Sequence, residues 1–227
     1  MHEAADTVMA PRPAGQDGVV LYDYWRSTAS YRVRIALNLA GLAYRAVPVD
    51  LRTGVQSSDA HLARSPQGLI PVMEIDGLRL TQSMAILDYL EETRRVALCP
   101  DGAGARARMR AVVQTIACDI HPVCNLRILS LVAATSGRDD TAPDWIHAVM
   151  RPGLQAVEAQ LDPVGPFAMG ETLSQADVLL IPQLYNAARW GVPTDDLPRI
   201  TRVAAACAAL PAFVAAHPDA VRPDRGH

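Results

Sequence analysis

Three hydroxyl side chains, Ser27, Thr28 and Ser30, stand where a short apolar run, Val19 to Tyr22, gives way to a helix pattern. Each carries a short oxygen able to take an orphan backbone N–H, so each is a candidate N-cap. The positive end of a helix also suits an anion, whether phosphate, carboxylate or thiolate. On these residues alone, a plain cap and an anion site are both open. Gln82-Ser83 poses the same choice after Thr81, at the start of a second helix pattern. A third cluster, Cys118, His121 and Cys124, can be drawn as metal ligands. At about 100° per residue the outer two lie about 240° apart on a helix, so no metal is expected there.

Composition narrows the chemistry further. The 227 residues are 50% apolar, enough for one large domain or two small ones with an ample core. Formal net charge is −3, and nothing points to a nucleic-acid or anionic-membrane partner. All 21 basic residues are Arg, with no Lys anywhere, which excludes a lysine Schiff base, a pyridoxal-phosphate linkage and a P-loop lysine. Arg offers instead a fixed, always-charged fork suited to carboxylates. Cys99, Cys118, Cys124 and Cys207 form no CxxC pair and no secreted framework, so a reducing cytoplasm is the expected location. Residues 1–17 hold acids, Pro and Gly without an apolar core, and read as a disordered tail rather than a signal peptide. No apolar run approaches membrane-spanning length.

The elements that must position these residues read as strand, helix, strand, then hairpin and helix. Val33, Ile35, Ala36, Leu37, Leu39 and Ala40 carry the first helix, and Gly41 stops it. Tyr44 to Val49 is a second strand, and a short helix is expected over Asp59 to Ala63. Ile70 to Ile75 and Leu78 to Leu80 flank Asp76-Gly77, a strong hairpin signal. Ile86, Leu87 and Leu90 share a face of the next helix. This order is that of an α/β thioredoxin-like domain over 18–98. Ser27-Thr28-Ala29-Ser30 occupies the place of a redox CxxC, so disulfide exchange is excluded and another molecule's thiolate could be held instead.

A linker with Pro100, Gly102 and Gly104 precedes an all-α half over 105–221. Its first helix pattern, Arg106 to about Val132, should break at Pro122. A second runs from Pro143 to Leu161. Ser174 and Asp177 have capping-box spacing before the apolar run Val178 to Pro182, and Leu197 to Ala216 supplies one or two more helices.

The run Trp25-Arg26-Ser27-Thr28-Ala29-Ser30-Tyr31-Arg32-Val33-Arg34-Ile35-Ala36-Leu37 closely resembles the signature of zeta-class glutathione transferases, the family of maleylacetoacetate and maleylpyruvate isomerases. Matching segments continue in order through Asp119-Ile120-His121-Pro122, Asn125-Leu126-Arg127, Gly170 to Asp177 and Pro182-Gln183 to Arg189, over roughly Val19 to Val221. The resemblance implies the glutathione transferase fold, a homodimer, and glutathione as cofactor. It further implies that Ile70-Pro71 is cis and frees the Ile70 main chain for the tripeptide. By the same resemblance Gln82 and Ser83 hold the γ-glutamyl carboxylate, His121 and Asn125 approach the cofactor, and the sulfur lies near Ser27 or Thr28. Ser27 and Arg26, with Arg127 and Arg189 as carboxylate clamps, are the implied catalytic residues.

One departure stands out. The family often has Ser-Ser-Cys where this chain has Ser27-Thr28-Ala29, so a protein thiol is not needed there, and side activity toward haloacids is affected. The implied reaction is cis–trans isomerisation of maleylacetoacetate to fumarylacetoacetate in tyrosine and phenylalanine catabolism. Leu126-Arg127 favours that substrate over maleylpyruvate, the gentisate-pathway alternative, because a doubled arginine would suit the shorter acid. A general glutathione-conjugating transferase and a non-catalytic glutathione-fold binding protein are the other readings.

Overall fold

The computed structural model describes residues 18–94 and 96–223, so the expected tail over 1–17 lies outside the described residues. The first half runs β1 (Val19–Asp23), α1 (Thr28–Leu39), β2 (Tyr44–Pro48), α2 (Asp59–Leu62), β3 (Val72–Ile75), β4 (Leu78–Thr81) and α3 (Ser83–Arg94). The strands form one sheet in the order β2-β1-β3-β4. β2 is parallel to β1, with Val19 opposite Tyr44, while β3 is antiparallel to both β1 and β4. Asp76 and Gly77 both take left-handed backbone angles, φ 53° and 78°, as a tight two-residue hairpin between right-twisted strands requires. The β3 strand begins at Val72 rather than Ile70, because Pro71 has no N–H to give to the ladder.

Every α1 residue from Ser30 to Leu37 is buried, including Arg32 and Arg34, because the helix packs on α3 and on helices of the second half. Arg34 resolves its burial by bonding to both oxygens of Asp23 at the end of β1, and to the carbonyls of Trp25 and Ala216. One side chain thereby ties the strand, the turn before α1 and the last helix together.

The second half is helical: α4 (Ala103–Gln114), α5 (Leu126–Ser136), α6 (Ala142–Gln160), α7 (Gln175–Arg189), α8 (Pro198–Ala208) and α9 (Pro211–Ala216). The long pattern expected from Arg106 to Val132 is in fact broken more elaborately. A π-helical stretch, Thr115–Ile120, extends α4, a 3-10 turn covers Pro122–Cys124, and α5 leaves at a bend of 48°. Pro122 ends the run because its ring and missing N–H cannot continue a helix, and Asn125 restarts it by accepting from Ile128 N. Gly153 on α6 allows the π-helical stretch to lie close: a Cβ there would sit 2.5 Å from Ile120 Cγ1.

The core of this half centres on α7, whose Val178, Leu179 and Leu180 are fully buried. Burying each contributes roughly 1.5–3 kcal/mol. The expected capping box positions the helix: Asp177 accepts from Ser174 N and Oγ through one oxygen and from Ala168 N through the other. Among the described residues no single helix is long and apolar enough to cross a membrane.

Candidate active site

Ser27 is the N-cap of α1. Its extended backbone, φ −67° and ψ 122°, lets Oγ accept from Ser30 N at 3.2 Å. That bond uses an acceptor lone pair and leaves the hydroxyl proton to donate elsewhere. Thr28 is the first helical residue and is buried, and the first turn of α1 holds no acid. The helix end is therefore an uncompensated positive pole with a free O–H beside it.

Arg26 stands next to this pole. Its Nη2 donates to Tyr24 Oη at 3.1 Å and its guanidinium lies 5.0 Å from the Trp25 ring centre. The Nε is buried and has no hydrogen-bond partner among the described residues. Arg222, beyond α9, lies 5.0 Å from the same indole. Arg189, at the C-terminal end of α7, is close enough to Arg26 for the two charges to act on one another. Burial first, and the Arg26 charge second, lower the Arg189 pKa. Arg189 Nη1 also donates to Asn186 Oδ1 at 3.3 Å. Arg127 is different: it sits exposed on the first turn of α5, and no described contact joins it to Arg26 or Arg189.

At the other helix start, Gln82 takes a left-handed φ of 68°, uncommon for a non-glycine residue, and its Nε2 donates to Gln67 Oε1 at 2.7 Å. Ser83 Oγ accepts from Arg32 Nη1 at 3.2 Å. The Ile70-Pro71 peptide is cis, and Ile70 stands just outside the β3 ladder. His61 Nε2, 3.0 Å from Leu69 O, and Ser65 Oγ, accepting from Leu69 N, fasten the loop leading into it.

His121 follows the π-helical stretch with Nδ1 turned inward and unpartnered among the described residues. Burial, and the nearby Arg32 charge, push its pKa down to about 3, so the imidazole is neutral. Asn125 Oδ1 is committed to its capping bond, which leaves its amide N–H groups for any other partner. Among the described residues no group of three or more His, Cys, Asp or Glu side chains is placed to hold a metal ion.

Thus the fold brings Ser27, Thr28, Arg26 and Arg189 to one end of α1, and Gln82 and Ser83 to the start of α3. Sequence reading missed Arg32 and Gln67 as neighbours of the second group. Arg32 was visible only as one of three arginines in a matched run. Gln67 carried no signal, lying in a polar loop 15 residues before its partner. A surface depression lined by Pro100, Arg108, Asp162 and Met169 shares no residue with either group.

Residues 18–92 match the family model of the glutathione S-transferase N-terminal domain. The chain is 50% identical over 208 residues to the maleylacetoacetate isomerase of Rhizobium meliloti (strain 1021), covering 90% of this chain and 98% of that one. A holo maleylpyruvate isomerase, described as a bacterial zeta-class glutathione S-transferase, superposes with a TM-score of 0.86 at 40% identity, covering 91% of this chain and all of that one. The maleylacetoacetate isomerase of Methylobacterium extorquens AM1, with malonate and glutathione bound, does so with a TM-score of 0.86 at 38% identity, covering 92% and 100%. With a likeness that runs through both halves of the molecule, the chain belongs to the zeta-class glutathione transferase family, the family of maleylacetoacetate and maleylpyruvate isomerases.

Proposed function

We propose that this chain is a glutathione-dependent cis–trans isomerase that converts maleylacetoacetate to fumarylacetoacetate. The observation that carries the reading is the convergence of Ser27, Arg26 and Arg189 at the positive end of α1, a site that offers a hydroxyl proton and two guanidinium groups to anions. The residues present fit glutathione. Ser83, backed by a buried guanidinium, suits a carboxylate, and Ser27 suits a thiolate. In this reading Gln82, Ser83, Ile70, Pro71, His121 and Asn125 hold the tripeptide, with residues 18–98 as the cofactor half and 105–221 as the substrate half.

Bound there, glutathione would supply a thiolate that adds reversibly to the cis double bond, so that the bond can rotate before elimination restores it. A free thiol with a pKa near ~8.5 is mostly protonated at neutral pH. The Ser27 O–H and the α1 positive pole favour the ionised form through a charge-assisted hydrogen bond. Arg26 and Arg189 would hold the carboxylates of the diketo acid and oppose the negative charge that develops on its carbonyl oxygen. Arg127 would join them from α5 as the substrate's far clamp. The Methylobacterium protein, with malonate and glutathione bound, supports a dicarboxylate substrate here.

Three further elements belong to the same reading: a homodimer, a cytoplasmic location supported by four free cysteines, and a place in aromatic amino acid catabolism. Exposed Leu126 and Leu131 on α5 leave apolar surface that supports self-association.

The test is a paired assay with maleylacetone, as a stand-in for maleylacetoacetate, and maleylpyruvate, each with and without catalytic glutathione. Turnover far exceeding the glutathione supplied, and faster with maleylacetone, is expected. Faster turnover of maleylpyruvate would reassign the substrate. A stoichiometric glutathione adduct would instead favour a conjugating transferase.

A further inference from the structure

The two arginines of α1 are equally buried and unequally satisfied. Arg34 is 1% exposed and bonds to the Asp23 carboxylate and two carbonyls. Arg32 is 2% exposed, yet its one described hydrogen bond goes from Nη1 to Ser83 Oγ, and its Nε and Nη2 have no partner among the described residues. No carboxylate pairs with it there. A guanidinium removed from water without a counter-ion is costly, and an anion arriving from outside would offset that cost. Being two residues apart, the pair point to different sides of the helix, so Asp23 cannot serve both.

The bond to Ser83 also sets the direction of that hydroxyl. A guanidinium only donates, so Ser83 Oγ must accept from it, and the Ser83 proton is left to be given to another acceptor. Ser83 is the first residue of the 12-residue α3, so that proton, the positive helix end and the Arg32 charge all favour an anion at one place. Two other groups act on Arg32, and neither is a carboxylate: His121 presents a buried, unpartnered Nδ1, and Cys118 a thiol.

We propose that Arg32 is a positioning residue of the cofactor site: from behind Ser83 it compels the Ser83 hydroxyl to act as a donor and supplies the countercharge for the carboxylate bound there. The proposal rests on the glutathione reading and assigns to Arg32 the recognition of the γ-glutamyl α-carboxylate.

The experiment is calorimetric titration of the full chain with glutathione and with 4-aminobutyryl-cysteinylglycine, which lacks only that carboxylate. The wild-type chain should bind glutathione at least tenfold more tightly than the analogue. Arg32→Met should erase most of this preference, weakening glutathione at least tenfold while moving the analogue less than twofold. Arg32→Lys should restore part of it, and glutathione should raise the melting temperature of Arg32→Met far less than that of the wild type. Equal weakening of both ligands by Arg32→Met would make Arg32 merely structural and overturn the proposal, as would a preference that survives the substitution. If Arg32→Met does not fold, Arg32→Gln, neutral but able to bond Ser83, is read in the same way. A wild-type chain that binds both ligands equally would overturn the proposal with no variant at all. Failure of the wild type to bind glutathione at all would overturn the cofactor reading and the proposal together, whereas glutathione binding lost in Ser83→Ala but intact in Arg32→Met would overturn the proposal alone.

Discussion

Arg34 Nη1 lies 2.9 Å from Asp23 Oδ1 and 2.8 Å from Asp23 Oδ2, and both side chains are almost fully withdrawn from solvent. The pair joins the end of β1 to α1 across the turn that carries Arg26 and Ser27, so the site inherits its rigidity from a buried charge pair. Removing one partner leaves the other charged and uncompensated. Asp23→Asn should cost about 3–5 kcal/mol of stability, read as a lower urea midpoint. The double variant Asp23→Asn/Arg34→Met should recover part of that loss. Independent, additive losses would mean that the pair is not the brace described.

Ser27 has two separable duties, the cap bond to Ser30 N and the free hydroxyl proton. Ser27→Ala removes both and should cost about 1 kcal/mol of stability. Ser27→Asn keeps a capping oxygen and removes the hydroxyl, so its stability should stay near wild type. Both variants should slow isomerisation at least tenfold and return the bound glutathione thiol toward its free pKa, followed by thiolate absorbance. An Asn variant with unchanged rate and thiol pKa would remove Ser27 from the chemistry.

Burial first, and repulsion from the Arg26 charge second, lower the Arg189 pKa. An anion between the two side chains relieves both effects. Arg189→Ala should therefore reduce kcat/KM for the diketo acid at least tenfold and weaken inhibition by malonate, while glutathione affinity holds. Arg127, exposed and unconnected in the free chain, should show a smaller loss that is confined to KM. If neither substitution changes turnover, the clamp assignment fails.

Legibility in the sequence followed the range of the interaction. The Asp76-Gly77 hairpin, the Ser174–Asp177 box and the break at Pro122 each depend on residues within a few positions, and the local chemistry of turn, cap and imino acid announces them. The partnership of Arg32 with Ser83 spans 51 residues and crosses from α1 to α3, and no periodicity carries such a pairing. The π-helical stretch was equally silent, since the contact that accommodates it is distant in sequence: its packing partner Gly153 lies 33 residues beyond Ile120. Asn125 shows a third case. Its motif was matched to a cofactor role, while the fold spends its carbonyl oxygen on capping α5.

His121 gives a pH signature with a definite sign. In the folded chain burial, then Arg32, hold its pKa down at about 3, whereas in the unfolded chain it titrates near ~6.5. Above that value both states are neutral at this position and it contributes nothing. As pH falls through it, the unfolded chain takes up a proton that the folded chain refuses, so stability is lost steadily toward pH 3, by up to about 1.4 kcal/mol per pH unit. His121→Gln cannot take up that proton. The stability gap between wild type and His121→Gln should therefore shift in favour of the variant between pH 7.5 and pH 5, when both are unfolded in urea. Carboxylates that also titrate in acid are common to both chains and cancel in the difference. Parallel pH profiles would show that the imidazole reaches solvent and a proton in the folded state, contrary to its inward-facing, unpartnered Nδ1.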